Sequence, residues 1–527
     1  MPAIKIENVY WLPHTQQHNN TYNNMRGWRV EIDKSEIPES KLFNGSYFDL
    51  CRTTDVGSKI DKLSLTPDEI CVLMLPFLTK DTIDRCLINS DMMAKHLLKL
   101  VHKIKPNINV IEFKDIDDPL YIDNPLYFVS LKHLIRTTDK YDFTPVYKYI
   151  THFIENPEIS KHKTIIKLLK ITDKSGNNFM LWHCEHYTYF MPDTMRFLLN
   201  NFSTNINIGH TNINSDTVLL YICKLKLSEL AMEIFDEFGL ECNAGQINNH
   251  NATALMWACA NGMTEVALKI INICGVKSNM GHVSNTNDTA LMFACNNNMA
   301  EVALKILDFS SVECNIGACN YTNGDTALII ACTNSLTDVA LKILDTCGVE
   351  SKIGHVNKHG STALLRACRN GMTDVALKII NTYGTSSNME HVNNMGDTAL
   401  SWACRNGMSD VALKILESGI ECAATHTNIK QETSLLLACA KKLPGVALKI
   451  IDIYGVKCKP SQINNMGDTA LLWACSNSMA EVALKILNFS PAECNLTHKN
   501  IYGDSGLTFA RKNGLTEVVE RIHTMSK

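Results

Sequence analysis

Twenty cysteines and 18 histidines are the most reactive side chains of this 527-residue chain. Their spacing decides between a disulfide framework, a metal site and buried thiols. No Cys-x-x-Cys pair occurs, so the commonest zinc spacing is absent. The densest cluster is His183, Cys184 and His186. Three such ligand types could hold zinc, and Cys184 with His186 could be written as a nucleophile and its base. A reactive thiol needs a cation or a helix N-terminus to lower its pKa, and nothing in the flanking sequence marks Cys184 as activated. Phosphate-binding Gly-rich loops, His-Glu-x-x-His and Gly-x-Ser-x-Gly are all missing. The expectation is no catalytic residue, no metal, no cofactor and no enzyme; a thiol- or zinc-dependent enzyme is the contrasting class.

The cysteines belong to a longer pattern. Cys184, Cys223, Cys259, Cys295, Cys332, Cys368, Cys404, Cys439 and Cys475 recur at intervals of 35 to 39 residues, mostly after an Ala. A small residue repeated at one position reads as a seam between helices, where a thiol packs as a small apolar group. The same period carries Thr217, Thr253, Thr289, Thr326, Thr362, Thr398, Thr433 and Thr469, with Ser505 closing the series. An older copy, Gly176 to Cys184, precedes them. About nine units therefore lie between roughly 173 and 527.

The unit from Asn393 to Asn428 shows what the pattern must build. Asn393-Asn-Met-Gly396 is a turn whose Gly accepts positive φ. Asp397 and Thr398 supply capping oxygens for a first helix, Ala-Leu-Ser-Trp-Ala-Cys-Arg-Asn, which Gly407 stops. Ser409-Asp410 is expected to cap a second helix, with the Asp410 carboxylate favoured at its N-terminus. Val411, Leu413, Ile415 and Leu416 cannot all be buried within one helix pair. Stacking of like units buries them, so the array is quasi-one-dimensional and needs caps at its ends. At the C-terminus the Cys column becomes Arg511, as a cap requires.

At Gly396, Thr398, Leu400, Ala403, Gly407, Asp410 and Val411, and at their equivalents, the unit resembles the ankyrin repeat. It departs consistently: Ala399 and its equivalents stand where that family has Pro, and Cys is the second small residue. The variant wording is similar to the ankyrin arrays of giant amoeba-infecting viruses. The resemblance implies a mainly α solenoid and non-catalytic binding of a protein partner, a host protein if the viral likeness holds, on a concave face and on the turn tips.

Residues 1–130 do not repeat. Trp28–Ile32 and Ile108–Phe113 read as strands, and Ser64–Lys103 as mostly helical, which gives a small α+β domain. Residues 131–172 read as an irregular helical cap before the solenoid at 173–527. Ile37–Cys51 with Leu63–Leu78 is similar to a BTB/POZ domain, with Ser46, Tyr47 and Phe48 carrying the match. Leu65–Ile88 also looks faintly like an F-box, and a cap domain of neither family is the third option. Either named match implies an adaptor docking a cullin ubiquitin ligase, the alternative function.

Fifty Lys+Arg against 54 Asp+Glu leave a net charge of −4, without the basic excess of a nucleic-acid binder. The longest apolar run, Ile70–Leu78, is interrupted by Pro76 and too short to span a membrane. Met1–Asn20 lacks the apolar core of a signal peptide. A protein acting inside a cell is expected, in a host cytoplasm if the viral resemblance holds. Trp182, Trp257, Trp402 and Trp473 share one position of the first helix, filled elsewhere by Phe293, Ile330 and Leu437. That column reads as core. The binding candidates are positions whose chemistry varies on a fixed scaffold: the tips, including Lys358, His359 and Met395, and the first-helix face, including Arg366, Arg369 and Arg405. Such a patch could pair with acidic groups, unless it is a solvated basic face balanced by Asp374 and Asp410.

Overall fold

The computed structural model describes residues 6–12, 27–32, 143–155, 162–186, 191–309, 311–418 and 424–526. The chain divides into two compact units, Met1–Tyr221 and Ile222–Lys527, and is mainly helical. In the first unit, strand Ile6–Leu12 pairs antiparallel with strand Gly27–Ile32, setting Val9 opposite Val30 and Trp11 opposite Trp28. The strand expected at Trp28–Ile32 is therefore present. Ile108–Phe113, Ser64–Lys103, and the BTB- and F-box-like stretches with Ser46, Tyr47 and Phe48 lie outside the described residues. Helices Thr144–Glu155 and His162–Leu168 follow, then the pair Phe179–His186 and Met191–Phe202. Asn178 stands where later units have Thr, and its side chain accepts the Leu181 amide at 2.9 Å.

The second unit is a file of short helix pairs. Each first helix has seven residues, as in Ala363–Arg369 and Ala399–Arg405. Most second helices run longer, as in Thr337–Cys347 and Thr373–Tyr383, while Ala300–Ile306 and Ala480–Ile486 also have seven. The Thr column caps as expected: Thr253, Thr362 and Thr469 accept amides three residues on, each at 3.2 Å. Thr398 adds a reciprocal bond from its own amide to Ser401 Oγ. Gly407 sits at φ +72° and ends its helix.

Two local expectations are corrected. Ser409 and Asp410 do not cap the second helix; Met408 holds the N-cap position with φ −81° and ψ 72°, and Ser409 opens the first turn. The Gly-Met turn is so tight that the Met408 amide reaches back to Ala403 O at 2.9 Å, which leaves the side chain free to be buried. Asp397 does not cap the first helix either. Its carboxylate accepts Asn428 Nδ2 from the next unit at 2.9 Å.

Successive units are riveted by asparagines. Asn370 Nδ2 donates to Cys332 O and Thr333 O, both at 2.8 Å, and Asn406 does the same to Cys368 O and Arg369 O. Those carbonyls end the previous unit's first helix, past the reach of its regular ladder, although Cys368 O also accepts the Gly371 amide at 3.3 Å. Asn261, Asn297, Asn334, Asn477 and Asn513 repeat the bond. Lys441 breaks the series. Asn370→Ala should therefore cost about 1–3 kcal/mol in urea unfolding, because two carbonyls are orphaned at once. A cost below that of the exposed Asn381→Ala would refute the riveting role.

Apolar side chains from both helices fill the seam between units. Leu364, Ala367, Cys368, Val375, Ala376 and Ile379 are fully buried, and the pattern repeats along the file. The Cys column is buried throughout the described residues. No helix among those residues is long and apolar enough to cross a membrane.

Candidate binding face

The most reactive side chains would define an active site. His183 is fully buried, its ring stacked on Phe179 at 5.6 Å and on Tyr147 at 5.2 Å. The His186 ring stacks on Trp182 at 5.0 Å, and its Nδ1 lies 2.9 Å from Trp182 O. Burial pushes the Cys184 thiol far above its ordinary value, the opposite of activation. His183 and His186 thus take part in aromatic packing, and Cys184 is buried. Among the described residues, no group of three or more His, Cys, Asp or Glu could hold a metal ion.

Variable residues gather elsewhere, on the tips and on the exposed side of the first helices. Most tips are fixed by an Asn at the base, and Ser284 takes that place in one unit. Asn393 Oδ1 accepts the amides of Met395 and Asp397, both at 2.9 Å, a turn geometry that Asn favours. Neighbouring tips then join by backbone: Lys358 N to Asn323 O at 2.8 Å, Asn394 N to His359 O at 3.5 Å and Ile429 N to Met395 O at 3.0 Å. On this rigid edge Lys358 and His359 are exposed, and Met395 is 49% exposed. The Lys358 ammonium donates to Tyr321 O.

Below the tips two arginines converge on one tryptophan. Arg369, at the end of one first helix, places its guanidinium carbon 5.3 Å from the Trp402 ring centre, and Arg405 from the next helix lies at the same distance. Arg366 stands three residues before Arg369, on the same helical face. Arg366 is half-buried, and its Nε is buried with no hydrogen-bond partner. Burial pulls its guanidinium below the ordinary value, the Arg369 charge adds to this, and Asp325 opposes it. Arg405 pairs with Glu432, which also accepts Asn428 Nδ2 at 3.1 Å. Asp374 and Asp410, the expected counter-charges, instead occupy the first turns of second helices. No hydrogen bond or ion pair joins the Lys358–His359 tip to these arginines among the described residues.

The tryptophan column departs from the core expectation. Trp182 is buried, but Trp257, Trp402 and Trp473 are half-exposed, whereas Ile330 and Leu437 at the same position are buried. An indole is too large for a slot that fits an aliphatic chain, so its edge emerges on the face. Sequence reasoning also missed Glu432: its partner is 27 residues away, and only the stacking of units brings the two together.

A model of the ankyrin-repeat family matches three copies over residues 340–426. These residues are ankyrin repeats. The match covers the helices bearing Arg366, Arg369, Trp402 and Arg405, and the tips bearing Lys358, His359 and Met395. Ankyrin repeats are scaffolds for binding other proteins, typically without catalysis. None of the curated proteins matches the chain.

Proposed function

We propose that about nine ankyrin-type repeats between residues 173 and 527 form a non-catalytic docking wall. A protein partner would meet the tips and the exposed, concave side of the first helices. Residues 1–130 would form a separate α+β domain and 131–172 a helical cap, and the protein would act inside a cell.

One observation carries this reading: large apolar side chains stand exposed on tips that the backbone holds rigid. Tyr321 (66%), Met395 (49%), Ile429 (57%) and Met466 (47%) all project from turn tips. Each leaves about half or more of its surface in water, which an interface would bury. A second exposed apolar column, including Val312 (84%) and Val349 (77%), lies on the connectors that follow the second helices, and it provides the control.

With the full chain as bait, Met395→Asp, Ile429→Asp and Met466→Asp together should abolish repeat-dependent capture of a protein from cell lysate. Helicity should be unchanged, since these side chains lie outside the buried core. Val312→Asp with Val349→Asp should leave capture intact. The reverse pattern would move the docking site to the connectors and overturn the proposal.

A further inference from the structure

We propose that Arg366 and Arg369, beside Trp402, form a receptor for a side-chain carboxylate on an acidic segment of the protein partner. This rests on the reading that the partner meets the exposed side of the first helices.

The charge balance of the face points there. Along the second helices, lysines meet carboxylates of the preceding unit, as in Lys378 with Asp345, Lys485 with Asp452 and Lys342 with Asp308, which also meets Lys305. At the arginine cluster the balance fails. Glu432 is taken by Arg405 and Asn428, and Asp325 accepts Asn357 Nδ2 at 2.6 Å. Among the described residues no carboxylate forms an ion pair with Arg366 or Arg369.

Position makes the imbalance sharper. Arg366 occupies the column that holds Trp257, Phe293, Ile330, Trp402, Leu437 and Trp473 in the other units. A cation has replaced an apolar group at a half-buried slot. Partly desolvated charge is costly unless an opposite charge meets it, and the second cation, three residues on, raises the cost further. Trp402 engages Arg369 through the face of its ring, which leaves the planar N–H edge of the guanidinium for a bidentate acceptor. An isolated cluster on a chain of net charge −4 is unlike the long basic stripe that nucleic acid requires.

The test uses the full chain and fluorescein-labelled peptides in anisotropy titrations at low salt. One peptide carries Glu residues spaced by Ala and Leu; its counterpart has Gln at every Glu, and a third has phosphoserine there. The Glu peptide should bind about tenfold or more tightly than the Gln peptide. Arg366→Gln with Arg369→Gln should remove that preference, while Lys305→Gln with Lys342→Gln on the second helices should keep it. Trp402→Leu, which restores the residue type of Leu437, should weaken the Glu peptide a few-fold. Equal binding of Glu and Gln peptides, a preference that survives the double Arg variant, or tighter binding of the phosphoserine peptide would each overturn the carboxylate receptor. If a captured partner is lost on changing the tips but retained by the double Arg variant, the docking wall stands and the receptor falls.

Discussion

Raising the pH from 8 to 10 should unfold residues 222–527, and the cysteine column should be the cause. Burial pushes the Cys295, Cys332 and Cys475 thiols up to about 12. Burial raises Cys259, Cys368 and Cys439 in the same direction, and the neighbouring column thiols add to the effect. An unfolded thiol titrates near about 8.5. A group whose pKa is raised by folding gives stability that is complete below its unfolded value. That stability is lost as pH climbs toward the folded value, because the unfolded chain ionises while the core cannot. Each such thiol then costs about 1 kcal/mol per pH unit. Six of them reach a total comparable to the whole stability of an ordinary domain, about 5–15 kcal/mol, within little more than one unit.

The measurement is far-ultraviolet circular dichroism against pH, with urea midpoints at each pH. Cys295→Ala with Cys332→Ala should flatten the alkaline slope and move the midpoint upward, although it sacrifices some packing. Stability that is level between pH 8 and 10, or a slope unchanged in the double variant, would contradict the account. The same desolvation explains why these buried column cysteines need imply no thiol chemistry: a thiol that cannot ionise is neither a nucleophile nor a ligand.

The period, the capping Thr, the Gly stops and the buried Cys column were legible because each is a local demand repeated in every unit. Thr398 must cap its own helix, and Gly407 must turn its own chain. What stayed hidden depends on how units superpose. The column Asn261, Asn297, Asn334, Asn370 and Asn406 was visible as a repeat, but an Asn at a helix end reads as a stop signal. Only the stack shows its side chain bonding the unit before. The Arg405–Glu432 pair obeys neither a helical spacing nor the repeat period, so no pattern rule finds it. Likewise, the sequence places Arg366, Arg369 and Arg405 on one face, but only the stacked units gather two of them on Trp402 and bury the Nε of Arg366 without a partner.

The second large effect should come from a glycine in an ordinary backbone conformation. A Cβ added at Gly281 would lie 2.2 Å from Glu313 O and 3.0 Å from its carbonyl carbon, both backbone atoms of the adjacent unit. Gly245 meets Lys277 O at 1.9 Å and Gly354 meets Ser386 O at 2.4 Å, so the close approach is built into successive interfaces. Asn315 Nδ2 holds this one together by donating to Gly281 O at 3.2 Å. A backbone carbonyl cannot swing aside as a side chain can, so Gly281→Ala must spread the units apart, at a cost of about 3 kcal/mol. Gly262→Ala is the matched control: its φ is +68° but no atom lies within 4 Å, so only conformational strain applies, about 1 kcal/mol. In a linear array, stability is the sum of unit and nearest-neighbour terms. The Gly281 loss therefore falls on a single interface and should split one urea transition into two, with the units before residue 281 melting first. Equal costs for Gly281→Ala and Gly262→Ala, with a single transition in both, would show that the interface tolerates the methyl.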